Sequence, residues 1–277
     1  MNRTMTRSRT AVAVLAAALA AAVASAVTVE LLRRQAALAR RRIGKALGEE
    51  PLAADRVWRK KYGGEPLDLL VVGDSVAAGL GADRRKDTLG ARIARGVATA
   101  LHRPVRLRVA AVVGSETAAL AAQLDTLPDG YRPDVTVVVV GGNDVTHRVP
   151  TAVSVRHLVE ALDRLHGLGS VAVVGTCPDL GALRPVPQPL RALGARASRQ
   201  LAAAQAVAAR AAGAHPVSLA EVVGTFFVDH PEEAFSLDRF HPSALGYRRT
   251  AQALVPSVLR ALDEVDEAPP GPVPERP

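Results

Sequence analysis

From about Pro66 onward the apolar positions fall into two alternating rhythms. Short unbroken apolar runs at Leu67–Val72, Val105–Val113, Val135–Val140 and Val171–Gly175, with a shorter one at His215–Val217, read as strands. Between them, Ala-, Leu- and Arg-rich stretches with helical spacing cover Thr88–Leu101, Thr117–Leu127, Ala152–Leu168 and Pro189–Ala212, and a last one covers Ser243–Leu262. The run Val135-Thr136-Val137-Val138-Val139-Val140 has no polar face and is almost wholly β-branched, so it belongs at the centre of a sheet buried on both sides. Regular strand–helix alternation predicts an α/β protein, a flavodoxin-like three-layer α/β/α sandwich with a central parallel sheet. In such sheets a site forms at the carboxyl ends of the strands.

A different pattern precedes this body. Arg3, Arg7 and Arg9 lead into a charge-free, Ala- and Val-rich stretch from Thr10 to Val29, and Arg33, Arg34, Arg40, Arg41, Arg42 and Lys45 follow it. That length approaches the roughly 20 apolar residues of a membrane span. Two expectations follow: a single retained membrane anchor, or a signal segment whose small residues Ala24-Ser25-Ala26 allow cleavage after Ala26 and secretion. The arginines after the run suit contact with anionic lipid, but basic residues on both flanks leave the side of the membrane open. The chain is therefore divided into a signal or anchor segment at 1–29, a basic juxtamembrane linker at 30–64, a folded α/β domain at 65–265 and a disordered Pro-rich tail at 266–277.

Composition narrows the function. The chain has 277 residues, 48% hydrophobic but only 3% aromatic, so the core is built of Ala, Val and Leu and a base-stacking surface is not expected. Of its net charge of +8, residues 1–61 hold 13 Lys and Arg against 4 Asp and Glu, and the remainder 22 against 23. A near-neutral body argues against nucleic acid as a partner. The single cysteine, Cys177, rules out an internal disulfide framework, and the histidines show no metal-ligand spacing with the loop carboxylates.

The chemistry-bearing residues fall at strand ends. Gly73-Asp74-Ser75 follows the first strand, Val113-Gly114-Ser115-Glu116-Thr117 the second, and Gly141-Gly142-Asn143-Asp144 the third; Asp238-Arg239-Phe240-His241-Pro242-Ser243 precedes the last helix. A serine lifted out of a tight Gly turn at a rigid strand end is placed as a nucleophile needs to be. In order and spacing the four blocks resemble the SGNH hydrolase superfamily, the GDSL-type esterases and lipases, over Leu67 to Leu262. The second block departs from many relatives, and only Gly114 is carried over from it.

That resemblance implies a serine esterase or lipase that cleaves acyl or acetyl esters through an acyl-serine intermediate, with no cofactor or metal. Ser75 is the expected nucleophile, His241 the base and Asp238 its orienter. Three donors are implied for the oxyanion: the backbone N–H groups of Ser75 and Gly114 and the side-chain amide of Asn143. Asp74 and Asp144 are read as loop braces, with Glu116 and His147 nearby. A small-molecule ester is the expected partner, and the chain is read as a monomer. The alternatives are a cell-wall carbohydrate O-deacetylase and a non-catalytic membrane-anchored protein that retains the fold. The few aromatics available (Phe226, Phe227, Phe235, Phe240, Tyr131 and Tyr247) tilt the reading towards small or lipid-like acyl groups.

Overall fold

The computed structural model describes residues 2–44, 47, 48 and 50–266. Helix α1 (Asn2–Ile43) leads to strand β1 (Arg56–Trp58), and β2 (Leu67–Gly73) turns into the short α2 (Ser75–Ala78). Helix α3 (Leu89–Leu101), β3 (Val105–Val109), α4 (Leu120–Asp125) and β4 (Val135–Val139) follow, then α5 (Gly142–His147) and α6 (Thr151–Gly167). Strand β5 (Val171–Gly175), α7 (Leu190–Ala211) and β6 (His215–Val217) precede three short helices, α8 (Leu219–Val222), α9 (Gly224–Asp229) and α10 (Pro231–Ala234). The last helix is α11 (Ala244–Asp266). The Pro-rich tail lies, from residue 267 on, outside the described residues.

Six strands form one sheet in the order β1-β3-β2-β4-β5-β6, with every neighbouring pair parallel except β1 and β3. The five-strand parallel part matches the sequence reading. The antiparallel edge does not, because Arg56–Trp58 fell in the expected linker. Three residues cannot show a period, and the strand exists only because Val57 has Arg106 to pair with.

Burial on both faces is written residue by residue along the strands. Leu69, Val71, Val135, Val137 and Val139 pack with α3 and α11 through Ile93, Val97, Tyr247 and Leu254. Their neighbours Leu70, Val72, Val138 and Val140 pack with α4 and α6 through Leu120, Leu158, Leu162 and Leu165. This period of two, apolar on both phases, is why the strands read as unbroken apolar runs. The one polar side chain in the middle, Thr136, is satisfied by Ser170, with the two hydroxyls 2.8 Å apart.

The sequence expectation for the second strand runs to Val113, whereas β3 ends at Val109. Past that point only alternate residues still reach β2, Ala110 N–H donating to Val71 O and Val112 N–H to Gly73 O. The expected Ser243–Leu262 helix starts one residue later and runs on to Asp266.

Residues expected as a signal or anchor are the beginning of α1. Among the described residues no helix is long and apolar enough to cross a membrane. The far end of α1 is docked on the body: Gln35 Nε2 donates to Gln188 O (2.5 Å), and Gln35 Oε1 accepts from Leu190 N–H (3.0 Å).

Gly73 closes β2 against β4. Its φ is +136°, and a Cβ there would lie 1.9 Å from Val139 O. Only glycine fits both constraints. Gly73→Ala is expected to lose about 3 kcal/mol or more of stability, or to give no folded protein, measured by urea denaturation.

Candidate active site

The turn after β2 is shaped by its own residues. Asp74 caps α2, its Oδ1 accepting the Val76 N–H at 2.9 Å. Ser75 is the first residue of that helix, so its N–H has no intrahelical acceptor. The C-terminal block meets it from the other end of the chain. His241 Nε2 lies 3.0 Å from Ser75 Oγ, and His241 Nδ1 lies 2.6 Å from Asp238 Oδ2. The second oxygen of Asp238 accepts three further bonds, from Ser236 Oγ (3.0 Å), Phe240 N–H (2.9 Å) and His241 N–H (3.0 Å). Asp238 is only 4% exposed. Burial pushes its carboxyl up, but the bonds from the His241 side chain and the two backbone N–H groups outweigh that and hold it below the usual carboxylate range. The result is a hydroxyl, an imidazole and an ionised carboxylate in a line along which a proton can pass from Oγ to Nε2.

Beneath this line the loops are packed without slack. The Tyr247 hydroxyl donates to Leu80 O (2.6 Å), tying α11 to the segment after α2. At Gly81, φ is +99° and a Cβ would fall 2.7 Å from Pro242 O, so the histidine loop rests directly on that backbone.

Asn143, in α5 after β4, joins the serine and histidine in one cleft. Its Nδ2 donates one hydrogen to Ser115 O (2.9 Å), which fixes the amide and leaves the second hydrogen free for another acceptor. Gly114 is placed differently from the other expected residues. It is exposed and lies outside the cleft lining. Its glycine is required by a φ of +81° rather than by crowding, since an added Cβ would meet no protein atom within 4 Å.

The chain matches the GDSL-like Lipase/Acylhydrolase family over residues 71–249. It is 38% identical over 260 residues to a GDSL-like esterase of Mycobacterium tuberculosis, an alignment covering 89% of this chain and 82% of that one. The chain belongs to the GDSL-like lipase/acylhydrolase family. Among solved structures it resembles the psychrotrophic esterase EstA from Pseudoalteromonas, with a TM-score of 0.55 and 16% identity over 71% of this chain and 98% of that one. A protein of Slackia heliotrinireducens assigned to the SGNH hydrolases gives a TM-score of 0.51 and 23% identity, over 70% of this chain and 99% of that one. The family match and the Mycobacterium tuberculosis relative make the chain a GDSL/SGNH-type hydrolase of the esterase and lipase kind, and the solved structures share its fold.

In this GDSL hydrolase the remaining loop carboxylates sit in contrasting surroundings. Asp144 accepts Thr117 N–H (3.0 Å) and Ser154 Oγ (2.6 Å), linking the second and third strand-end loops to α6. Asp74 is buried, and burial, reinforced by the nearby Asp144 charge, raises its pKa to about 6 despite bonds from Val76 and Gly142 N–H and the attraction of His241. His147 Nδ1 lies 2.7 Å from Glu116 Oε1 on the exposed rim. Cys177 is fully buried; that burial, with Asp74, Asp144 and Asp179 around it, pushes its thiol up, so it stays neutral and unreactive.

Two features were not foreseen. The cleft encloses about 800 Å³, open mouth included, and its walls are apolar, with Leu180, Leu183, Leu219, Phe227, Phe235 and Phe240. Three of the chain's 4 phenylalanines therefore gather here. The second is a pair of buried glutamines, Gln123 on α4 and Gln205 on α7. A signal existed for both: each shares the core face of its helix with leucine, Gln123 beside Leu120 and Leu124, and Gln205 four residues after Leu201.

The Asp74 shift has a definite sign. A folded-state pKa above the ordinary 3.8 means the native protein holds this proton more tightly than the unfolded chain. The associated stability is fully present below about pH 4 and is lost as pH rises through about 6, roughly 3 kcal/mol in all. Asp238 has the opposite sign, its contribution present above the ordinary carboxylate pKa and lost on acidification. Asp74→Asn is therefore expected to gain on wild type by about 3 kcal/mol between pH 4 and pH 7, read from denaturation curves across that range.

Proposed function

We propose that this chain is a serine esterase that transfers an acyl group from an ester to Ser75 and then to water. The observation that carries the reading is the chain of contacts Asp238–His241–Ser75, at 2.6 and 3.0 Å. As Ser75 Oγ bonds to the ester carbonyl carbon, His241 Nε2 takes the Oγ proton and the carbonyl electron pair moves onto oxygen. The tetrahedral intermediate collapses, the C–O bond to the alcohol breaks, and His241 returns the proton to the departing alkoxide. Water then attacks the acyl-serine by the same route, giving the carboxylic acid and free Ser75. Asp238 remains ionised, holding Nδ1–H and stabilising the imidazolium.

The oxyanion is received by the free N–H of Ser75 and the unused hydrogen of Asn143 Nδ2, while Gly114, outside the cleft lining, adds no donor to this pair. Donors fixed beforehand need no reorganisation when charge develops, and the bond from Asn143 to Ser115 O supplies that fixity.

The substrate side follows from the cleft walls. Phe227, Phe235 and Leu183 offer a surface for methylenes and few partners for sugar hydroxyls, which supports acyl chains over acetylated glycans. Each buried methylene is worth about 0.8 kcal/mol, close to fourfold in kcat/KM.

A fluorophosphonate probe is expected to label wild type and to leave Ser75→Ala unlabelled; unlabelled folded wild type would overturn the nucleophile. Asn143→Ala is expected to lose on the order of 10² to 10³ in kcat in a p-nitrophenyl ester assay. Across acetyl, butyryl and hexanoyl esters, kcat/KM should climb by up to about fourfold per methylene, and a flat series would remove the acyl pocket.

A further inference from the structure

Helix α4 contributes no side chain to the cleft, yet one of its residues reaches two of the strand-end loops. Gln123 is 3% exposed, in a layer otherwise formed by Leu120, Leu124 and their neighbours. Its Oε1 accepts Gly73 N–H at 2.8 Å, and its Nε2 donates to Gly73 O at 2.8 Å and to Ser115 Oγ at 3.3 Å. Ser115 is held from its other side, where its carbonyl accepts from Asn143 Nδ2 at 2.9 Å. A continuous hydrogen-bonded path therefore runs Gly73–Gln123–Ser115–Asn143, across the ends of β2, β3 and β4. Its two termini are a glycine two residues before Ser75 and the side chain of Asn143.

We propose that Gln123 is a positioning residue that sets the spacing between the Ser75 N–H and the Asn143 amide. This rests on the reading of those groups as oxyanion donors. The chemistry calls for a primary amide of this length. Gly73 presents both its N–H and its C=O to α4, so its partner must accept on one atom and donate from another. A second donor hydrogen is needed for Ser115 Oγ, and only Gln or Asn carries that set. Asn is one methylene shorter. A methionine would fill the volume but leave the Gly73 N–H unpaired in a dry layer, and the turn would relax towards another acceptor. Displacement of about 1 Å at an oxyanion donor is enough to lose most of its effect on the transition state.

The test compares wild type, Gln123→Met, Asn143→Ala and the double variant on p-nitrophenyl butyrate, with Leu165→Ala as a core variant far from the cleft. Gln123→Met is expected to lower kcat by about 10- to 100-fold with KM within about twofold, while Leu165→Ala loses stability and keeps kcat. If Gln123 acts through Asn143, the double variant falls no more than about threefold below Asn143→Ala alone. An unchanged kcat in folded Gln123→Met, or losses that simply multiply in the double variant, would overturn the proposal. Ser115→Ala removes only the hydroxyl that Gln123 reaches and keeps the core filled, so it reads the same path should Gln123→Met not fold. Its kcat is expected to drop about fivefold at constant KM, and no drop would count against the path. Wild type that hydrolyses no ester and takes no fluorophosphonate would bring down the esterase reading and this inference together; active wild type with an indifferent Gln123 would bring down the inference alone.

Discussion

One hydrogen bond joins residues 166 positions apart, His241 Nε2 to Ser75 Oγ, and much of the cleft's construction serves to hold its two ends still. The serine end is fixed by the sheet: β2 lies between β3 and β4, and Gly73 passes so close to Val139 that no other residue fits. The histidine end sits on a loop, and loops move unless their backbone is tied. Here it is tied repeatedly. Ser236 N–H donates to His241 O, Ser243 N–H donates to Ala234 O, and Tyr247 reaches across to Leu80. The loop is thus part of the packed body rather than a flap over it.

Electrostatics around the histidine follow from placement more than residue type. Asp74 and Asp238 are both buried aspartates near His241, yet their affinities for protons move in opposite directions. Asp238 accepts four hydrogen bonds, and charge-assisted bonds of that number outweigh desolvation. Asp74 has fewer donors and faces Asp144, so its charge is poorly supported. Burial, with the charges of Asp74, Asp144 and Asp179 around it, keeps the Cys177 thiol protonated.

How much of this was legible beforehand depends on how local each signal is. The central strands were plain because residues such as Val135–Val139 are buried on both faces and need no partner to declare themselves. Ser75, Asn143, Asp238 and His241 could be picked out because each sits in a short block at a strand or helix boundary, and the fold gathers all four. Strand β1 was invisible, since three residues become a strand only by pairing with Arg106 and its neighbours. Gln123 and Gln205 gave a weak signal, a polar residue on an apolar face, whose meaning lies in backbone groups 50 and 28 residues away. Gly114 shows the converse: its left-handed backbone was foreseeable from the residue, its place relative to the cleft was not.

The phenylalanines carry a different kind of information. All 4 lie between positions 226 and 240, and three of them face the cleft. Ser75 and Asn143 come from the strand ends of the sheet, whereas much of the apolar wall comes from the small helices and loop between β6 and α11. The apolar wall and the histidine thus share one stretch of chain, while Ser75 and Asn143 stand on the sheet. Substitutions in α8 to α10 can reshape what the enzyme accepts without disturbing the sheet that positions the serine.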